Sequence, residues 1–329
     1  MSRTRLSVLT ALCTVATLFA AGCGATTENP NEGNGGGGGD GAACTPGEAS
    51  ELPDPKPLAV DAAADTALAG QVPAAIKTDG KLLIATDASY APNEFTLEGS
   101  DEIIGMDVDL GKAIGKVLGV EVEFVNASFD GILAGLQAGR YELGMSSFTD
   151  TKEREQTVDF VTYFEAGTST MVRKCNPKDI QTIEDLCGKK VGAENGTTQL
   201  DQLTQADAEG SVVKACEDAG KEAPVAQGFP KQTDVNAALQ ANRIDAYMAD
   251  SPVVEYAVKK TGEAFEKAGE DTDTAPYGIA VPKNAGTLKD AVLGAMQALI
   301  DDGSYKKVLD NWGVADGAIT EAKINGAIY

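Results

Sequence analysis

Histidine is absent from all 329 residues. Its absence removes Ser-His-Asp and Cys-His nucleophilic chemistry and every metal site built on imidazole. Basic residues are few beside acidic ones, 27 Lys+Arg against 50 Asp+Glu, for a formal net charge of −23. Such a surface repels phosphate backbones and anionic membrane faces, so nucleic acid is excluded as a partner. No two cysteines stand in CxxC spacing, so no metal is expected, and nothing in the chain calls for a cofactor. The one long apolar stretch, Leu6–Ala20, is too short for a comfortable membrane span.

That stretch follows Arg3 and Arg5 and ends at Ala20-Ala21-Gly22-Cys23, the charged, apolar and small-residue order of an export signal. A cysteine after glycine resembles a bacterial lipobox, although Ala20 stands where Leu is usual. Residues 1–22 are therefore read as a lipoprotein signal peptide, with Cys23 the lipidated first residue and lipid the only membrane contact. Residues 23–58, with the unbroken run Gly35–Gly39, are too poor in apolar residues to fold and read as a flexible tether. Cys44, Cys175, Cys187 and Cys216 remain, an even number in an exported chain, which points to disulfides. Cys187–Cys216 is the favoured bridge because both fall in one inferred lobe, which leaves Cys44 with Cys175; three pairings are open.

The folded part is organised around Leu136-Gln137-Ala138-Gly139-Arg140-Tyr141-Glu142-Leu143-Gly144-Met145-Ser146-Ser147, and around an ungapped echo, Leu239-Gln240-Ala241-Asn242-Arg243-Ile244-Asp245-Ala246-Tyr247-Met248-Ala249-Asp250-Ser251. Gly139 and Asn242 are both residues that tolerate a left-handed helix end. Each unit reads as a helix end, a short strand and a polar loop. Hydroxyls and Arg154 follow the first strand, a carboxylate the second. In open α/β sheets ligands sit beyond the carboxyl ends of strands.

Around these units, strand Lys81–Thr86, a helix with Leu110, Ile114 and Val117 on one face, and strand Val120–Val125 give the strand–helix alternation of a parallel sheet. Asp107 and Asp109, in the first turn of that helix, are read as caps. An Ala-rich helix is expected within Asp61–Ala75, broken at Pro73. Further strands are expected near Thr168–Arg173, Lys189–Ala193 and Val225–Phe229, with a helix at Ser251–Thr261 started by Ser251 as N-cap and Pro252. The chain crosses back near Tyr277–Pro282 and ends in helices Thr287–Asp301 and Ser304–Trp312. The partition is 59–172 for the first part of lobe 1, 173–274 for lobe 2 and 275–329 for the return to lobe 1.

From Lys81 to Trp312 the chain resembles the polar amino-acid-binding family (family 3) of extracellular solute-binding proteins of ABC importers. The resemblance rests on Asp87…Tyr90-Ala91-Pro92-Asn93-Glu94-Phe95, Gly105-Met106-Asp107-Val108-Asp109-Leu110, Ser146-Ser147-Phe148-Thr149…Arg154, Val158-Asp159-Phe160, Asp185-Leu186-Cys187-Gly188, Gly196-Thr197-Thr198 and Asp245…Asp250-Ser251-Pro252. It implies an α/β protein of the periplasmic-binding-protein type II fold, two parallel-sheet lobes joined by two crossover strands and closing on a ligand. By the same resemblance Arg154 grips an amino acid's carboxylate, a bidentate task that suits a guanidinium. Thr149 and Thr198 add hydrogen bonds to that carboxylate, Asp250 with Ser147 takes the ammonium, Tyr90 and Phe129 wall the side chain, and Ser146 and Asp87 complete the pocket.

Each residue also has a plainer reading. Arg154 could pair with Glu153 or Asp150, Thr198 and Asp250 could serve their helices, and Tyr90 and Phe129 could be core. Asn93 and Glu194 depart from common versions of the family, and the orientation of Glu94 and Glu194 is open. Three candidate acids without a second arginine argue against Glu or Asp as ligand and favour Lys, Arg or ornithine over a neutral polar side chain. The implied partners are a free amino acid and a membrane permease, the implied state is a monomer anchored outside the cell membrane, and no enzyme activity is expected. The alternatives are a cyclohexadienyl or arogenate dehydratase-like enzyme on the same fold and a ligand-sensing lipoprotein.

Overall fold

The structure is a computed structural model that describes residues 56–262 and 264–329. The export signal, Cys23, Cys44 and nearly all of the tether lie outside the described residues.

Asp65 starts the chain's first helix by accepting from the amides of Ala67 and Leu68, and Pro73 separates it from the second. The Ala-rich segment is therefore two short helices, α1 (Thr66–Gln71) and α2 (Ala74–Asp79), and residues 61–65 are not helical. Lobe 1 continues with β1 (Lys81–Thr86), the hairpin strands β2 (Ser89–Tyr90), β3 (Glu94–Thr96) and β4 (Ile103–Ile104), then α3 (Met106–Leu118), β5 (Glu121–Asn126), α4 (Phe129–Gln137) and β6 (Leu143–Gly144). The long strand β7 (Val158–Arg173) crosses to lobe 2. That lobe holds β8 (Lys190–Glu194), α5 (Thr198–Thr204), α6 (Val212–Asp218), β9 (Val225–Phe229), α7 (Gln232–Gln240), β10 (Ala246–Asp250) and α8 (Ser251–Thr261). β11 (Phe265–Pro282) returns, and α9 (Leu288–Asp301) and α10 (Ser304–Trp312) complete lobe 1.

The main sheet runs β5-β1-β6-β11-β7-β10-β8-β9. β5, β1 and β6 are parallel in one lobe, and β10, β8 and β9 are parallel in the other. β7 and β11 pair antiparallel along both lobes and are the two crossover strands, with register shifts between Ala268 and Gly278 where they pass between lobes. Both crossovers are longer than expected. β7 is buried on both faces for most of its length, so it shows no alternation, and the Gly-Glu-Asp-Thr-Asp-Thr stretch of β11 reads as a loop from composition.

Each lobe has its own core. On α3, Leu110, Ile114 and Val117 pack with Val292, Met296 and Leu299 of α9, each worth about 1.5–3 kcal/mol when fully buried. In lobe 2, Met171 and Tyr247 face one layer, while neighbouring Val172, Ala246 and Met248 face the other, as strand alternation requires. A disulfide joins Cys187 to Cys216 with Cα atoms 5.6 Å apart. Cys175 is also disulfide-bonded; its expected partner, Cys44, lies outside the described residues.

The echo is structural. Gly139 and Asn242 both have left-handed backbones, φ 69° and 56°. Glu142 accepts from the amide of Leu83 at 2.9 Å, and Asp245 from that of Lys190 at 3.0 Å. Two expectations for caps do not hold. Asp107 accepts from the Ser147 amide and the Tyr163 hydroxyl, and Asp109 from the indole of Trp312 and the amide of Leu58, so both acids serve packing rather than the end of α3. The N-cap of α8 is Asp250, not Ser251, and its side chain does not cap the helix.

Candidate functional site

Two pairs of strands, parallel within each lobe and running towards each other, end at one cleft between the lobes. β1 runs into Asp87, β6 into Ser146 and Ser147, β8 ends on Glu194 and β10 on Asp250. Every site residue expected from sequence lines this cleft: Asp87, Tyr90, Phe129, Ser146, Ser147, Thr149 and Arg154 from lobe 1, Thr198 and Asp250 from lobe 2. Glu94, Glu194, Thr197 and Gln199 line it as well.

Arg154 lies on a short 3-10 turn, Arg154–Gln156, directly before β7. One guanidinium nitrogen donates to the carbonyl of Thr149 at 2.8 Å, and another crosses the cleft to the carbonyl of Gly196 at 2.9 Å. The guanidinium also lies 5.7 Å from the ring centres of Phe129 and Phe148, which are stacked 4.5 Å apart. Burial lowers its pKa, with Asp201 and Asp250 opposing. Neither Glu153 nor Asp150 forms an ion pair with it; it is a cation lying over an aromatic wall. Gly196 has a left-handed backbone, φ +78°, and a Cβ there would stand 3.0 Å from Asp130 at the start of α4 on the other lobe.

Facing it, Asp250 is buried and fully engaged. Gln199 donates to one oxygen at 2.8 Å, and the Tyr90 hydroxyl donates to the other at 3.0 Å. The same Tyr90 oxygen accepts from the amide of Asp250. Burial raises the Asp250 pKa, opposed by hydrogen bonds and by Arg154. The aromatic of one lobe thus touches the carboxylate of the other.

The remaining acids form the floor. Glu94 accepts from Ser146 at 3.0 Å and Ser147 at 3.1 Å; burial and the neighbouring Asp107 push its pKa well up. Asp87 accepts from the amide of Phe129 at the start of α4, and burial raises it too. Glu194 is pushed up to about 9, by burial first and then by Asp87, Asp250 and Asp130. Asp107, raised by burial to about 6, stands behind Ser147. Asn93 does not line the cleft; its amide donates to Ser147 at 2.9 Å from behind.

The lobes are drawn together, leaving about 10 Å³ of free volume between these walls. Among the described residues lining the cleft, Arg154 is the only base, against Asp87, Glu94, Glu194 and Asp250.

Residues 82–315 match the family described as bacterial extracellular solute-binding proteins, family 3. The chain belongs to that family. An arginine-binding protein, ArgT, of Corynebacterium glutamicum is 31% identical over 278 residues, 83% of this chain and 84% of the relative. An L-cystine-binding protein, TcyJ, of Escherichia coli is 31% identical over 243 residues, 73% of this chain and 85% of its own length. Among solved structures, an ancestral arginine-binding protein bound to arginine superposes with a TM-score of 0.63 at 36% identity, covering 71% of this chain and 98% of that one. No helix among the described residues is long and apolar enough to cross a membrane.

Within this family member, Gln199 is the site residue that sequence reading missed. It is a buried polar residue in the first turn of α5 that also donates to Thr168 on β7. The available signal was its place just after Gly196-Thr197-Thr198. Thr197, not Thr198, is the N-cap of α5, accepting from the amide of Leu200.

Proposed function

We propose that the cleft binds a free amino acid with a cationic side chain, arginine or lysine in the first instance, and that the closed protein delivers it to an ABC importer. Arg154 takes the carboxylate, exchanging its Gly196 contact for the ligand, with Thr149 and Thr198 alongside. Asp250 takes the ammonium with Ser147 near it. The side chain lies between Tyr90 and Phe129 and points to Asp87, Glu94 and Glu194. The observation that carries this reading is the make-up of the walls, carboxyls from both lobes against one guanidinium. Burial and mutual repulsion keep part of these carboxyls protonated in the free cleft, Glu194 up to about 9; a cationic side chain favours their ionised forms and pairs with them, which the side chain of a neutral polar amino acid does not. Names of similar proteins support the choice, since several bind arginine.

Closure pivots on the crossover strands, with 59–172 and 275–329 moving as lobe 1 and 173–274 as lobe 2. Cys23 carries the lipid that holds the monomeric protein outside the cell membrane. The protein is a binding protein and not an enzyme. Glu194 is the one observation on the other side, because a carboxyl held protonated to about 9 is what a dehydratase needs as general acid. A ring-shaped dicarboxylic acid would bring two negative charges to a cleft with one arginine, and that weighs against it.

Titration calorimetry with arginine, lysine, ornithine, glutamine and glutamate tests the reading. Arginine or lysine should bind tightest and glutamate not at all. Arg154→Ala should weaken the best ligand by about 2–5 kcal/mol, as for a buried charge deprived of its partner, and Arg154→Lys should not restore it. Tight glutamate binding, or an Arg154→Ala protein binding within a factor of about three of the parent, would end it. Turnover of a prephenate-like acid would instead establish the enzyme.

A further inference from the structure

Residues 318–329 lie beyond the stretch matched to the family, 82–315, and they are folded onto lobe 1. The amide of Ile319 donates to the Tyr305 hydroxyl at 3.0 Å, and that of Ala322 to Gln297 at 3.1 Å. The chain then pairs with β7. The amide of Thr162 donates to the carbonyl of Lys323 at 2.8 Å, and Ile324 bridges to Val161. Asn325 donates its amide to the Phe160 carbonyl and accepts the Phe160 amide on its side chain. A left-handed backbone at Asn325, φ 54°, turns residues 326–329 off that strand.

Those residues run to the loop that carries Arg154. Gly326 donates its amide to the carboxyl of Asp150 at 2.7 Å, and Ala327 donates to that of Glu155 at 3.2 Å. The amide of Lys152 in turn donates to the carbonyl of Tyr329 at 2.9 Å. Residues on either side of Arg154 are thus tied to one segment, while Arg154 itself lines the cleft. Tyr329 is half-buried and stands at the rim, outside the lining residues. Burial pushes its phenol up to about 12, with Asp250 and Asp273 adding to the rise and Arg154 opposing it. The ring is close enough to feel charges of both lobes.

We propose that residues 326–329 are a brace for Arg154: they fix its loop so that the guanidinium meets the ligand's carboxylate, and Tyr329 pins the end of the brace at the rim. The loop needs such support. It runs from Gly144, the end of β6, to Val158, the start of β7, with only the short turn Arg154–Gln156 within it. A planar fork grips two oxygens at once only when held to within about 0.5 Å of the productive geometry. An arginine side chain otherwise has much rotamer freedom to lose on binding. Residues 326–329 are therefore positioning residues, and their role rests on Arg154 being the partner of the carboxylate.

The test is calorimetric titration of the full-length protein with arginine, lysine, ornithine or glutamine, whichever the parent binds tightest. Tyr329→Ala should weaken that ligand about two- to tenfold, the range for ordering one rotamer-rich side chain. Tyr329→Phe keeps the ring and should bind as the parent does. Ala327→Pro removes the amide held by Glu155 and leaves the Tyr329 side chain in place, and it should weaken binding by a similar factor. On an Arg154→Ala background neither Tyr329→Ala nor Ala327→Pro should cost anything further, because the brace acts only through Arg154. Unchanged affinity in both variants, or an equal loss with Arg154 already removed, would overturn the brace while leaving the role of Arg154 intact. An Arg154→Ala protein that binds as tightly as its parent would instead remove the reading of the cleft, and the brace with it.

Discussion

At the scale of single residues the cleft is a problem of like charges. Glu194 is pushed up to about 9 by burial and by Asp87, Asp250 and Asp130, so at neutral pH the folded protein holds a proton that the unfolded chain has lost. A carboxyl whose folded pKa lies above its unfolded value makes stability fall as pH rises between the two, here from about 4.5 to about 9, by up to about 1.4 kcal/mol per pH unit. A cationic ligand reverses the preference, since it favours the ionised form and expels the proton. Thermal melting of ligand-free protein should therefore move down between pH 5.5 and 8.5, while arginine affinity rises over that range with proton release. Glu194→Gln should flatten both trends. A melting temperature that climbs with pH in the parent protein would contradict the assignment. Arg154 and Asp250 were legible as candidates because loops after short strands have few structural reasons to carry such groups. Gln199 was not, because a polar residue in a helix's first turn reads as solvated, and Asp107 was not, because an acid there reads as a cap.

Among elements, the local units were legible and the long-range ones were not. β9 and α10 fall where turn and helix signals put them, and the echo correctly pairs β6 with β10, since each signal is contained in a dozen residues. β7 and β11 owe their length to each other, and their pairing partners stand about a hundred residues apart. The turn into α3 shows how closely an element can depend on one position. Gly105 has φ +140°, and a Cβ there would lie 2.0 Å from the Asn93 carbonyl oxygen. That same oxygen accepts from the Asp107 amide, and the Pro92 carbonyl accepts from Met106, so the start of α3 sits directly on the loop that aims Glu94 into the cleft. Gly105→Ala should cost about 3 kcal/mol or more, from strain and from separation of the two segments. Urea unfolding measures that loss, and ligand affinity should fall with it because Glu94 is displaced. Stability within about 0.5 kcal/mol of the parent protein, the usual range of a neutral surface change, would mean that the loop yields easily.

For the whole molecule, closure is held by contacts that can be separated from ligand contacts. Tyr90 with Asp250 and Arg154 with Gly196 both involve cleft residues. The third bridge does not. The backbone amide of Gln232, at the start of α7, donates to the Ser89 hydroxyl across the lobes at 3.2 Å, and neither residue lines the cleft. Ser89→Ala removes this bond from the closed state, at a net cost of about 0.5–1.5 kcal/mol, and with it the hydrogen bond that Ser89 gives Asp87, whose share Asp87→Asn alone measures. A ligand that binds the closed form pays the closing free energy out of its own affinity. If the free protein is open, the whole loss enters the dissociation constant, as a weakening of about two- to tenfold. If the free protein is closed, affinity changes little, and the variant's ligand-free form opens instead, raising its radius of gyration in small-angle scattering. One of the two quantities must move. A Ser89→Ala protein matching its parent in both would show that the lobes are not held together by the contact between β2 and α7.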